Sequence, residues 1–161
     1  MPEIQEGGCS CGALRYRLTG RPLIVHCCHC RDCQRITGSA FVVNVWVERQ
    51  QVTPLSGNPK SFELKGGSGQ PHTVFFCGDC GSCVWSKYHR APGDTLLLRA
   101  GALDDPAQMT PDVHIFTRSK LPWVRLPEGA RAFEAFYNPA EVWPAESLAR
   151  FRKNVAAASR P

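Results

Sequence analysis

Nine cysteines in 161 residues constrain this chain more than any other feature, because they are not scattered. They fall into three groups: Cys9-Ser10-Cys11; Cys27-Cys28-His29-Cys30-Arg31-Asp32-Cys33; and Cys77-Gly78-Asp79-Cys80, with Cys83 just beyond. Spacings of one or two residues let successive thiolates converge on one ion about 2.3 Å from each sulfur. Glycines flank two groups, Gly7, Gly8 and Gly12 around the first and Gly78 and Gly81 around the third. A metal knuckle needs positive φ and amides turned toward sulfur, and glycine supplies both at low cost. The N-terminal MPEIQEGG lacks the apolar core of an export signal, so a cytoplasmic setting with reduced, metal-binding thiols is expected in place of disulfides.

Hydrophobic residues make up 43% and charged residues 20% of the chain, which excludes wholesale disorder. No apolar run approaches the roughly 18 residues of a membrane helix. The formal charge of +5 overstates basicity, because seven thiolates on two zinc ions would lower it by three, to about +2. With no basic run of five or more residues, nucleic acid is a disfavoured partner.

Short strands between turns account for most of the sequence. Ala13 to Leu18 alternates apolar and basic residues, and Ala40 to Val47 is rich in β-branched and aromatic side chains. Ser61 to Lys65, Thr73 to Phe76, Val84 to Tyr88 and Thr95 to Ala100 are further strand candidates. A short helix is expected over Arg31 to Thr37, ending at Gly38, and a terminal helix over Pro144 to Ala158. The expected organisation is a mainly β domain over residues 1–140 with a helical tail, residues 141–161, packed on or extending it.

Spacing leaves the pairing of clusters open. Sixteen residues separate Cys11 from Cys28, a range common in local zinc sites, which would join the first two groups. Joining the first and third instead leaves Cys28, Cys30 and Cys33 as a set of three. Four protein ligands make a closed structural site, whereas three keep a position for water or substrate.

The stretches Gly7 to Tyr16, Cys28 to Gly38 and Phe76 to Gly81, followed in order by Gly101-Ala102-Leu103-Asp104-Asp105-Pro106, His114-Ile115-Phe116, Ser119-Lys120 and Trp123, resemble the glutathione-dependent formaldehyde-activating enzymes, a family that includes centromere protein V-like domains. The resemblance spans roughly residues 5–137. It implies a β-tent fold and two zinc ions per chain, the second site with room for partial occupancy. It implies that Cys9, Cys11, Cys77 and Cys80 hold a structural zinc, and that Cys28, Cys30 and Cys33 hold a second, open and catalytic one. The implied activity is that of a carbon–sulfur lyase forming or cleaving an adduct of a small thiol such as glutathione with an aldehyde, for example S-hydroxymethylglutathione. The alternative is a non-catalytic zinc domain that binds a macromolecule, since a fold does not fix a function.

Cys27 and Cys83 lie outside that pattern. In extended chain, Cys27 and Cys28 point to opposite faces, which argues against both binding one ion; Cys83 reads as a small buried side chain. His29 is expected to point away from the metal of its neighbours, and His114 is a pocket residue or fourth-ligand candidate. His26, His72 and His89 carry no pattern. Trp46, Trp85, Trp123 and Trp143 read as core or rim. Arg15, Arg31, Arg35, Arg118 and Lys120 are the candidates for substrate carboxylates. No catalytic triad, phosphate loop or dinucleotide fingerprint points to other chemistry.

Overall fold

The computed structural model describes residues 4–159. Strands β1 (Ile4–Gly8), β2 (Arg15–Thr19) and β5 (Val52–Ser56) form a three-stranded antiparallel sheet with β2 in the middle. The larger sheet contains β3 (Ile24–Cys28), β4 (Val42–Glu48), β6 (Lys60–Lys65), β7 (Pro71–Phe76), β8 (Cys83–Tyr88), β9 (Thr95–Arg99) and β10 (Val113–Ile115). Its order is β10-β3-β4-β9-β8-β7-β6, and β10 runs parallel to β3 while the other pairs are antiparallel. The fold is mainly β, with helix α1 (Arg31–Thr37) after the second cysteine group and helices α2 (Pro139–Val142) and α3 (Ala145–Ala158) near the C-terminus.

Period-2 alternation divides β3, β4 and β9 between two cores. Val25, Val45, Val47, Leu96 and Leu98 join Tyr16, Leu18, Trp85, Cys9 and Cys77 beneath the smaller sheet. Their sequence neighbours Ile24, Val42, Trp46 and Leu97 face the other way, where Cys28, Cys33, Trp143 and Phe151 complete a second core. Trp46 meets Trp143 and Phe151 edge-on, at centroid distances of 5.1 and 6.0 Å.

Two polar ties fix the C-terminal segment over this second core. Arg150 forks onto Glu48, with Nε–Oε1 at 2.9 Å and NH2–Oε2 at 2.5 Å. The Asn154 amide brackets Asp94, accepting from its N–H at 2.7 Å and donating to its carbonyl at 3.1 Å. A buried relay adds a third tie: Trp143 Nε1 donates to the Tyr137 hydroxyl (2.8 Å), which lies 2.5 Å from His26 Nε2.

The six expected strands appear as β2, β4, β6, β7, β8 and β9, and both expected helices form. Four strands were not anticipated: β1, β3, β5 and β10. β5 contains Pro54, which is tolerated because the strand is an edge, paired only with β2. β3 is buried at every position, so its IVHCC sequence shows no alternation to detect.

Candidate functional site

The first and third cysteine groups meet. Cys9, Cys11, Cys77 and Cys80 place their Sγ atoms within 4.8 Å of one another, with Cys9–Cys11 at 3.4 Å and Cys11–Cys77 at 3.8 Å. A tetrahedral ion with bonds of about 2.3 Å has sulfur–sulfur edges of about 3.8 Å, so the donor set fits zinc. Two tight turns build the cluster. Gly12 (φ +80°) donates its N–H to the Cys9 carbonyl, and Gly81 (φ +73°) does the same to Cys77, left-handed positions that favour glycine. The Leu14 N–H reaches Cys9 Sγ at 3.2 Å, while Ser10 and Ser82 join the two arms through their hydroxyls at 3.0 Å. Cys9 and Cys77 sit in the first core and Cys11 and Cys80 face solvent.

Cys28, Cys30 and Cys33 also bring their sulfurs within 4.8 Å of one another. Cys28 ends β3, Cys30 caps α1, its Sγ accepting from the Cys33 N–H at 3.4 Å, and Cys33 lies in the first turn. Gly38 closes the helix in left-handed conformation, donating back to the Gln34 carbonyl. The Gln34 amide donates to the carbonyls of His29 (2.8 Å) and Ser119 (3.0 Å), holding the cluster's loop in place. Hydrogen bonds with Cys28, then with Cys33, hold the Cys30 thiol far below its ordinary pKa, while those with Cys30, then with Cys33, push the Cys28 thiol far above it. Cys30 is the most accessible of the three.

Beside this cluster lies a buried guanidinium, Arg99, only 5% exposed. It donates to the Asn44 carbonyl oxygen, to Ser86 Oγ (3.1 Å) and to Cys83 Sγ (3.5 Å), none of them a carboxylate. Asn44 in turn donates to Cys33 Sγ at 3.9 Å. A buried cation without an acidic partner is costly, and the Cys30 thiol, held well below its ordinary pKa in the neighbouring cluster, supplies negative charge near it. On the other side, Asp32 of α1 accepts from the Gly67 N–H at 2.7 Å, tying down the β6–β7 loop. His72 of β7 is buried against Tyr88, and among the described residues its Nε2 has no partner. Burial, then Arg99, lowers its pKa to about 4.

A cavity of about 650 Å³ opens between the two clusters. Ser10, Gly81 and Ser82 contribute from the knuckle side and Ile36, Thr37 and Val42 from the side of α1, and Cys83 and Arg99 also line it. The three thiols do not line it, but Val42 is the cross-strand partner of Cys28 and Thr37 hydrogen-bonds the Cys33 carbonyl. A second depression, of about 480 Å³, is bordered by Arg31, Arg35 and Trp123, which is 70% exposed.

Cys27, His29 and His114 lie apart from both clusters, with one another. His114 is therefore not grouped with Cys28, Cys30 and Cys33. Of the basic candidates, Arg15 is engaged by Asp104 through two hydrogen bonds and Lys120 donates to the carbonyls of Leu121 and Val124. Arg31 and Arg35 border the second depression. Sequence reasoning missed Arg99, Asn44 and His72. The signal for the first two was present: each is a polar residue on the face of β9 or β4 that its strand otherwise fills with Leu97 or with Val42 and Trp46.

A family profile described as glutathione-dependent formaldehyde-activating enzyme matches residues 4–119. A Halomonas elongata protein, named provisionally as such an enzyme, is 27% identical over 156 residues, covering 92% of this chain and 94% of its own. A crystal structure of a Rhodobacter sphaeroides protein aligns with 79% of this chain and 97% of its own, at 15% identity and a TM-score of 0.45. With a profile spanning most of its length, this chain belongs to the glutathione-dependent formaldehyde-activating enzyme family.

Proposed function

We propose that the protein is a zinc-dependent carbon–sulfur lyase that forms or cleaves the adduct of a small thiol, such as glutathione, with an aldehyde. The observation that carries the reading is the inequality of the two thiol clusters: one offers four sulfurs, the other three, with no fourth donor grouped among the described residues. Cys9, Cys11, Cys77 and Cys80 would hold a structural zinc, and Cys28, Cys30 and Cys33 a second zinc with one position free. The chemistry zinc supplies at such a site is a deprotonated, positioned sulfur at neutral pH.

In the synthetic direction the thiol sulfur bonds to the aldehyde carbon, and the thiol's proton ends on the former carbonyl oxygen. Lysis reverses both transfers. The chain's own residues hold the geometry. Arg99 and the Asn44 amide it orients place positive charge and an N–H donor beside the trio of sulfurs, which favours their thiolate forms. Thr37 and the Gln34 amide pin the α1 turn that carries Cys30 and Cys33. The cavity between the clusters lies in the size range of small-molecule sites and receives the body of the thiol substrate. Arg31 and Arg35, bordering the adjoining depression, are the cations placed to meet its carboxylates.

The test combines metal analysis with exchange spectroscopy. Native protein and Cys30→Ser are titrated with glutathione while the zinc absorption edge is followed, and interconversion of glutathione, formaldehyde and adduct is measured by NMR exchange. A glutathione-dependent edge shift and faster exchange, both lost in Cys30→Ser, are expected. An unchanged edge together with an uncatalysed exchange rate in the native protein would refute the reading.

A further inference from the structure

β3 presents donors on both faces. Cys28 turns toward the open cluster, and its neighbours Cys27 and His29 turn the other way, as alternation requires. There they meet His114 from β10, the register partner of Cys27. Cys27 Sγ lies 3.6 Å from His29 Nε2, and His29 Nε2 lies 3.1 Å from His114 Nδ1. All three donor atoms fall within 4.8 Å of one another. The side chains are 2%, 0% and 9% exposed, so this is an interior cluster rather than a surface coincidence.

We propose that Cys27, His29 and His114 form a third metal site, separate from both cysteine clusters, that takes a thiophilic transition-metal ion, Zn²⁺ or Cu⁺. Bonds of about 2.3 Å to sulfur and about 2.05 Å to nitrogen imply, for tetrahedral directions, a sulfur–nitrogen edge of about 3.6 Å and a nitrogen–nitrogen edge of about 3.3 Å. The observed separations of 3.6 and 3.1 Å lie close to those edges, and the third pair falls within 4.8 Å. One thiolate and two imidazoles form a donor set suited to zinc or copper rather than to calcium or magnesium. A hydrogen-bonded trio is a poorer match: His29 Nε2 faces two neighbours and carries at most one proton, whereas an ion uses a lone pair from each donor.

The backbone holds the donors in place before any ion arrives. His29 N–H donates to the Ile115 carbonyl at 3.0 Å, and the Gln34 amide takes the His29 carbonyl. On the far side, His114 N–H donates to the Arg131 carbonyl at 2.8 Å and its own carbonyl accepts from Phe133 N–H at 2.9 Å. Phe41, whose ring lies 5.5 Å from that of His29 and also lines the large cavity, stands between the cluster and the cavity. An ion here would brace β10, a strand of three residues at the end of the sheet, against β3. Its role is structural, and it does not depend on the lyase reading.

The experiment counts metals per chain, by mass spectrometry, in protein loaded with Zn²⁺, or anaerobically with Cu⁺, and then dialysed against a chelator. Native protein, Cys27→Ser, His114→Gln and the pair Cys30→Ser/Cys33→Ser are compared, with circular dichroism to confirm folding. Loss of one equivalent in Cys27→Ser and in His114→Gln, additional to the equivalent lost in Cys30→Ser/Cys33→Ser, is expected with one of the two ions. The ion that shows this pattern identifies the metal. His114→Gln keeps the thiol and so reports even where Cys27→Ser does not fold. Co²⁺-loaded protein gives a second readout: the imidazole contribution to its visible bands should disappear in His114→Gln. Equal metal content in native, Cys27→Ser and His114→Gln, for both ions, overturns the proposal. An inactive lyase that still shows the third equivalent leaves it standing.

Discussion

Removing one arm of the four-sulfur cluster should cost far more zinc-linked stability than disabling the three-sulfur cluster. The perturbations are Cys77→Ser/Cys80→Ser and Cys30→Ser/Cys33→Ser. Zinc stabilises the fold only to the extent that it binds the native chain better than the unfolded one. The four-sulfur site closes a loop of 66 residues between Cys11 and Cys77, so assembling it in the unfolded chain costs about 4 kcal/mol of closure entropy by the relation used for cross-links. The other three sulfurs lie between Cys28 and Cys33, and the same relation gives about 2 kcal/mol for closing so short a segment. Unfolded protein therefore keeps part of its affinity at the second site and almost none at the first. The difference, about 2 kcal/mol from closure alone, corresponds to roughly 4–8 °C in Tm for a chain of this size. The assay is thermal unfolding with zinc and after chelation, reading the zinc-dependent shift for each variant. That shift should collapse in Cys77→Ser/Cys80→Ser and largely persist in Cys30→Ser/Cys33→Ser. If the local pair abolishes it and the long-loop pair does not, the assignment of closed and open clusters is wrong.

Other substitutions probe the surroundings. Tyr16 is fully buried and its hydroxyl has no partner among the described residues, so Tyr16→Phe should leave stability unchanged or raise it by about 1 kcal/mol; a clear loss of stability in urea unfolding would contradict this. His72 is held neutral in the fold with a pKa of about 4 but titrates near 6.5 when unfolded. Protons then bind the unfolded state preferentially, and its contribution is lost as pH falls from about 6.5 to about 4, at up to about 1.4 kcal/mol per pH unit. The stability of His72→Leu should fall less steeply over that window, and parallel curves would contradict the burial argument. Gly93 has φ +82°, and a Cβ there would overlap Asn154 Oδ1. Gly93→Ala should therefore cost at least about 1–2 kcal/mol and release α3, seen as faster amide exchange in residues 145–158.

The strands legible in the sequence were those whose side chains alternate between environments or whose β-branched run is bounded by turns. β2 reads clearly because Tyr16 and Leu18 are buried while Arg17 and Thr19 face water. β3 fails the same reading because both its faces are buried, one in each core, and because its cysteines advertise ligation before they advertise a strand. The donor residues themselves were visible from spacing and glycine context. Their pairing was not, since a local separation of sixteen residues competes with a long loop, and only the sheet, by carrying Cys77 back to Cys9 and Cys11, decides which set shares space. Arg99 illustrates a different limit. A basic residue ending TLLLR reads as a strand terminus at the surface, and only the three neutral acceptors around its guanidinium show that the chain buries this charge beside its thiols.

β3 also explains how one short strand serves two chemistries without mixing them. Cys27 and Cys28 are adjacent in sequence, yet the period of the strand sends one sulfur toward His29 and His114 and the other toward Cys30 and Cys33. A slip of one residue against β4 would exchange them and turn Ile24 and Val25 into the wrong cores. Five register pairs, from Ile24↔Trp46 to Cys28↔Val42, oppose that slip on one side, and three pairs with β10 oppose it on the other. Because Val25 packs beneath the smaller sheet while Ile24 packs with Trp46 and Trp143, the apolar residues that set the register are also those that decide which thiol faces which cluster. The partition of donors is thus a consequence of hydrophobic burial, which acts on the whole strand, rather than of ligand chemistry, which acts on single atoms.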